Sequence, residues 1–253
     1  ETGNLPVTIR LFDAGGDKFF SLGSRENNPF LGWRGIRMLL DEQDLLRDQL
    51  TALLRIAGRY PGRMRILVPM VTNIEEVLAV KEMLLGIQGR LVEEGVPVDE
   101  EVQLGIMIEV PSVALQAPQF APLVDFFSIG SNDLTQYTLA VDRSNELISE
   151  MYRQNHPAVW QLIRYSVEAA ADADIAISVC GEMAADPDCA SCLLGLGIND
   201  LSMSPVNIPD VKAQLIQREY SEYRELAERV LAAGTEDEVS TIFREWKQDK
   251  DHG

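Results

Sequence analysis

Three kinds of residue are scarce in this 253-residue chain, and each scarcity excludes something. Its three cysteines are too few for the disulfide framework of a small secreted scaffold, so a reducing, cytoplasmic setting is expected. Its two histidines, His156 and His252, have no neighbouring acid or nucleophile in sequence, and both read as structural or solvated. Basic residues number 22 against 40 acidic ones, a formal charge of −18, which argues against nonspecific nucleic-acid or anionic-membrane binding. No apolar run approaches a membrane span, no signal peptide opens the chain, and no low-complexity tract interrupts it. An initiator methionine is missing too; the start Glu1-Thr2-Gly3 suits a piece of something longer.

What is present is a repeating alternation. Residues 7–12, 65–70, 104–110, 124–129, 175–179 and 201–203 read as strands, several of them apolar almost throughout, as strands covered on both faces are. Between them, leucines at 45, 46, 50, 53 and 54 mark a helix over 41–57. Thr72 with Glu75 predicts a capping box for a helix running towards Gly95. A short helix follows Pro111-Ser112, a longer one covers 157–172, and amphipathic helices fill 209–247. This is the signature of parallel β/α units, with no internal linker, so residues 1–253 are expected to form one domain. Nearly every strand delivers polar residues at its carboxyl end: Arg10 and Asp13, Glu109, Ser131 to Asp133, Cys180 and Glu182, Ser204. Convergence from many strands favours an α/β barrel over a doubly wound sheet, which concentrates such residues at one switch point. A closed barrel of this type has eight strands, and six are legible.

The densest stretch is Ser131-Asn132-Asp133, directly past an apolar strand and its breaking Gly130. A capped helix start explains one of these polar residues, with Ser131 or Asn132 as cap, but not three followed by Arg143. Asp133 is a hard oxygen donor, and Arg143 a fork for carboxylate or phosphate. Glu109 stands at an apolar strand end, so it is either half of a two-carboxylate site with Asp133 or the acid of an ordinary salt bridge. Arg10, Arg34 and Arg143 together would make an anion clamp; Lys18 could join them, but on a turn-rich loop it reads as exposed. Cys180 beside Gly181 sits where a working thiol would. Cys189 and Cys192, on an apolar helix with no further ligands spaced for zinc, read as packing.

These motifs resemble those of the phosphoenolpyruvate-utilising enzymes. Residues 125–143 carry the family signature, and Leu134-Thr135-Gln136-Tyr137-Thr138-Leu139-Ala140-Val141-Asp142-Arg143 is similar to the enzyme I branch of the bacterial phosphotransferase system. Arg10-Leu11-Phe12-Asp13, Asn28-Pro29-Phe30-Leu31-Gly32-Trp33-Arg34, Gly105-Ile106-Met107-Ile108-Glu109-Val110-Pro111 and Cys180-Gly181-Glu182-Met183 support it. Gly35 and Asp186-Pro187-Asp188-Cys189 lean slightly towards the nitrogen-regulatory paralogue. The resemblance implies a (β/α)8 barrel that binds phosphoenolpyruvate and Mg²⁺. Glu109 and Asp133 would hold the metal, Arg10 and Arg34 the phosphoryl group, and Asn132 and Arg143 the rest of the ligand. Cys180 would protonate the enolate carbon. It further implies a phosphorylated histidine on a separate amino-terminal domain, a histidine-containing phosphocarrier protein as acceptor, and a homodimer formed through this domain. The family barrel opens with two strands upstream of Arg10, so the chain is expected to be incomplete at its amino-terminal end.

Overall fold

The structure is a computed structural model that describes residues 5–13 and 28–248. Lys18 and His252 lie outside the described residues.

Six strands alternate with helices: β1 (Val7–Arg10), β2 (Met64–Val68), β3 (Gln103–Ile108), β4 (Phe126–Gly130), β5 (Ala176–Cys180) and β6 (Asp200–Ser202). Their hydrogen-bonded order follows the sequence, β1-β2-β3-β4-β5-β6. The ladders run parallel, with Ile9 opposite Ile66, Ile66 opposite Leu104 and Cys180 opposite Ser202. A doubly wound sheet reverses its order at a switch point; this one does not, and the fold is the expected α/β type with the strand order of a (β/α)8 barrel. All six anticipated strands are present, displaced at their ends by a few residues. β2 stops at Val68 because Pro69 has no N–H to donate and Met70 turns to φ 59°.

The helices are α1 (Gly35–Asp41), α2 (Gln43–Ala57), α3 (Ile74–Glu93), α4 (Pro111–Leu115), α5 (Ala117–Phe120), α6 (Ser131–Leu139), α7 (Pro157–Asp172), α8 (Glu182–Ala185), α9 (Pro187–Gly195), α10 (Ile208–Leu215), α11 (Tyr220–Ala232) and α12 (Glu236–Gln248). The capping box of α3 lies one residue later than expected. Asn73 accepts from the Glu76 N–H at 3.1 Å, and the Glu76 carboxylate accepts from the Asn73 N–H at 3.0 Å. Asn caps at least as well as Thr, which frees Thr72 to donate its hydroxyl to the same carboxylate.

The chain divides into two compact units, Glu1–Met107 with Gln119–Phe127, and Ile108–Pro118 with Ser128–Gly253. In the first, Leu46, Leu50 and Leu54 of α2 and Val77, Val80 and Leu84 of α3 are buried, as are Ile66, Val68, Leu104 and Ile106 of the strands. Asp125, the odd polar residue before β4, is structural: its carboxylate accepts the Leu104 N–H at 2.7 Å. In the second unit α7, α9, α11 and α12 bury Trp160, Leu193, Tyr223, Leu226, Phe243 and Trp246. α9 and α11 approach so closely that a Cβ on Gly195 would fall 1.9 Å from the Tyr223 carbonyl oxygen. Cys189 and Cys192 are fully buried there, and burial pushes both thiols above their ordinary pKa, as packing residues require. His156 is structural, its Nδ1 accepting the Ala158 N–H at 3.1 Å to cap α7.

Candidate functional site

The expected site residues fall into two groups, one in each unit. In the first unit, Arg10 ends β1 and Arg34 stands at the residue before α1, without a side-chain bond to the helix. Asp13, two residues past Leu11, organises both. The Arg34 guanidinium grips it as a fork, Nε donating to Oδ1 at 3.0 Å and Nη2 to Oδ2 at 2.6 Å. The Asp13 side chain is only 1% exposed and that of Arg34 11%, so this is a buried bidentate pair. Arg10 is far more open; its Nη1 lies 3.8 Å from Asp13 Oδ2 and 3.9 Å from the Met107 sulfur. Phe30 stacks under Arg34, with its ring centroid 5.8 Å from Cζ. The sequence reading named both arginines, and Asp13 as a polar residue at the end of the first strand, but not the pairing of Asp13 with Arg34.

The second unit holds Glu109, Asn132, Asp133, Arg143 and Cys180. β4 passes straight into α6 at Gly130, which makes no side-chain cap. Ser131 and Asn132 therefore do not cap the helix, contrary to the simplest expectation. They reach instead to the end of β5. Ser131 Oγ donates to the Cys180 carbonyl at 2.9 Å, and Asn132 Oδ1 accepts the Glu182 N–H at 2.9 Å. Asn132 Nδ2 lies 3.5 Å from Glu182 Oε1. Between these bonds sits Gly181 at φ 107°, ψ −164°, a backbone region essentially restricted to glycine. A Cβ there would meet Ser131 Oγ at 2.5 Å and Asn132 Oδ1 at 2.8 Å. The two strand ends are thus locked together without an intervening side chain.

Asp133 and Glu109 are buried carboxylates. Arg143 approaches Asp133, its Nη2 lying 3.6 Å from Oδ1. The buried Gln136, one helical turn beyond Asp133 on α6, accepts the Arg143 backbone N–H at 3.1 Å and fixes the turn that presents this arginine. The half-buried Cys180 donates its thiol hydrogen to the Ile129 carbonyl at 3.4 Å and receives Ser128 Oγ at 4.0 Å. Among the described residues no group of three or more His, Cys, Asp or Glu side chains gathers as a metal cage. A thiol, an amide, a guanidinium and buried carboxylates at strand ends are groups for binding a small anion and delivering a proton to it.

Residues 1–220 match the family model described as PEP-utilising enzyme, PEP-binding domain. The chain belongs to that family. Among its PEP-utilising relatives, the phosphoenolpyruvate-protein phosphotransferase of Haloferax volcanii is 45% identical over 94% of this chain and 42% of its own length. That of Bacillus subtilis is 42% identical over 94% of this chain and 42% of its own. That of Buchnera aphidicola subsp. Schizaphis graminum is 42% identical over 96% and 43%. The chain therefore spans less than half the length of these relatives. No described helix is long and apolar enough to cross a membrane.

Proposed function

We propose that this chain is the phosphoenolpyruvate-binding portion of a phosphoenolpyruvate-protein phosphotransferase, with residues 1–253 acting as one domain of it. The observation that carries the reading is the group Asn132, Asp133 and Arg143, tied to Cys180-Gly181-Glu182, in a chain 45% identical to a relative of that name. In the reaction the phosphoryl group leaves the enol oxygen of phosphoenolpyruvate for a ring nitrogen of a histidine on a separate domain. The P–O bond breaks and a P–N bond forms. A small histidine-containing phosphocarrier takes the group in turn. The enolate left behind gains a proton at carbon and departs as pyruvate.

Arg10 and Arg34 grip the phosphoryl oxygens and spread the charge of a loose transition state. Arg34 is suited to this because Asp13 already holds its guanidinium in one orientation, which lowers the entropy lost on binding. The Asn132 amide and Arg143 hold the body of the ligand. Cys180 keeps its proton directed at the Ile129 carbonyl until the enolate carbon takes it. Glu109 and Asp133 fit Mg²⁺, which takes one or two protein carboxylates and leaves its other positions to water and ligand oxygens; bound there, it would neutralise phosphoryl charge. A cytoplasmic setting and a homodimer belong to the same reading.

Calorimetric titration of phosphoenolpyruvate into the chain, with and without Mg²⁺, tests it. The wild type binds in a Mg²⁺-dependent manner and Asp133→Ala loses that dependence. A folded chain with no affinity for phosphoenolpyruvate sinks the reading, and unchanged Mg²⁺ dependence in Asp133→Ala removes the metal assignment.

A further inference from the structure

Gln49 stands outside the residues considered so far. It lies on α2, half-buried beside the core residues Leu46, Leu50 and Leu53. A glutamine at the border of an amphipathic helix needs no protein partner, because water can satisfy its amide. This one has a partner distant in sequence. Its Oε1 accepts the backbone N–H of Phe12, 37 residues away, at 3.0 Å.

That bond falls where the sheet stops holding the chain. The Leu11 N–H donates to the Leu67 carbonyl at 2.9 Å, and Pro69, just past β2, has no N–H to carry the ladder on. Asp13 follows two residues after Leu11, and its carboxylate meets Arg34 as a fork, through bonds of 3.0 and 2.6 Å. A bidentate pair tolerates little displacement or rotation of either plane. The same carboxylate lies 3.8 Å from Arg10 Nη1, so its placement serves both arginines. Gln49 fixes the backbone of the residue directly before it. α2 is a firm base for this contact, since Leu46, Leu50 and Leu54 are fully buried. All of these residues belong to the first unit.

We propose that Gln49 is a positioning residue: by holding the Phe12 N–H it sets the Asp13 carboxylate, and through it the Arg34 guanidinium, in the arrangement that receives an anionic ligand. With phosphoenolpyruvate as that ligand, the inference rests on the function proposed above. Gln49→Leu removes the acceptor and keeps a good helix former, while Gln49→Glu keeps an oxygen at the same reach. The readout without ligand is the Arg34 Nε–H resonance, assigned by its absence in Arg34→Lys. In the wild type it exchanges slowly with solvent, because it donates to a buried carboxylate. In Gln49→Leu it exchanges about five-fold faster, the worth of one hydrogen bond, and in Gln49→Glu it stays slow. The Trp33 indole N–H, which donates to Asp41 at 2.7 Å in the same unit, reports general loosening and does not change. With Mg²⁺, the dissociation constant of Gln49→Leu for phosphoenolpyruvate rises about five-fold, and in an Arg34→Gln background the same change adds nothing further. An Arg34 resonance or a dissociation constant unchanged in Gln49→Leu overturns the proposal. So does equal loss of protection in Gln49→Glu, loss shared by the Trp33 indole, or full additivity with Arg34→Gln. If the wild type fails to bind phosphoenolpyruvate, the proposed function falls, while the Arg34 resonance still decides whether Gln49 positions the fork.

Discussion

Gly181→Ala tests the lock between the ends of β4 and β5. At φ 107° and ψ −164° an alanine sits in a region that costs a non-glycine residue about 1–3 kcal/mol. Its Cβ also needs the space held by Ser131 Oγ, 2.5 Å away, and Asn132 Oδ1, 2.8 Å away. Serine and asparagine side chains can rotate, but rotation here breaks the bonds to the Cys180 carbonyl and the Glu182 N–H. Two such bonds contribute about 1 kcal/mol each. The expected loss is about 3–5 kcal/mol if nothing relaxes, and nearer 2 kcal/mol if the backbone shifts. Urea unfolding followed by circular dichroism reads the loss as a lowered midpoint at unchanged slope. Because Asn132 is displaced with it, the function proposed above predicts that phosphoenolpyruvate affinity falls by about ten-fold or more. A variant within about 0.5 kcal/mol of wild type that binds the ligand normally would refute the lock, since neither strain nor displacement could then be real.

Two further outcomes follow from buried charges. Asp13→Ala takes the fork partner from an Arg34 side chain that is 11% exposed, and breaking a buried pair of this kind costs about 3 kcal/mol; a urea midpoint close to wild type would show that Arg34 is held without Asp13. Asp188 has its pKa raised by burial, which outweighs the ion pair that Lys247 makes with it at 2.6 Å. A raised carboxyl pKa contributes stability that is full below the ordinary carboxylate range and lost as pH rises through the shifted value. Asp188→Asn therefore gains on wild type in thermal melts as pH rises above the ordinary carboxylate range. A gap constant with pH, or one that closes as pH rises, contradicts the burial argument.

Strand positions and strand-end chemistry were legible because both are local properties. Six apolar runs broken by glycine or proline announce strands, and a polar cluster immediately past such a run marks candidate site residues. Asp133, Asn132, Arg143 and Cys180 come to light in this way, and three of them sit within one helix and the turn that follows it. Partner choice is a different matter, because it is decided by tertiary structure. Ser131 and Asn132 have the composition of helix caps, and their neighbours in sequence leave that reading open. What overrides it is the end of β5, some 50 residues away, which offers a carbonyl and an N–H at the right distance. Asp13 and Arg34 likewise meet across 21 residues, and no spacing rule links them. Gln136 was within reach, since it lies one turn beyond Asp133 on the same helical face. Local pattern thus marks the groups that are proposed to bind and react. Their orientation is set by residues distant in sequence, so Asp13 and Gly181 are the positions where substitution separates a group's presence from its placement.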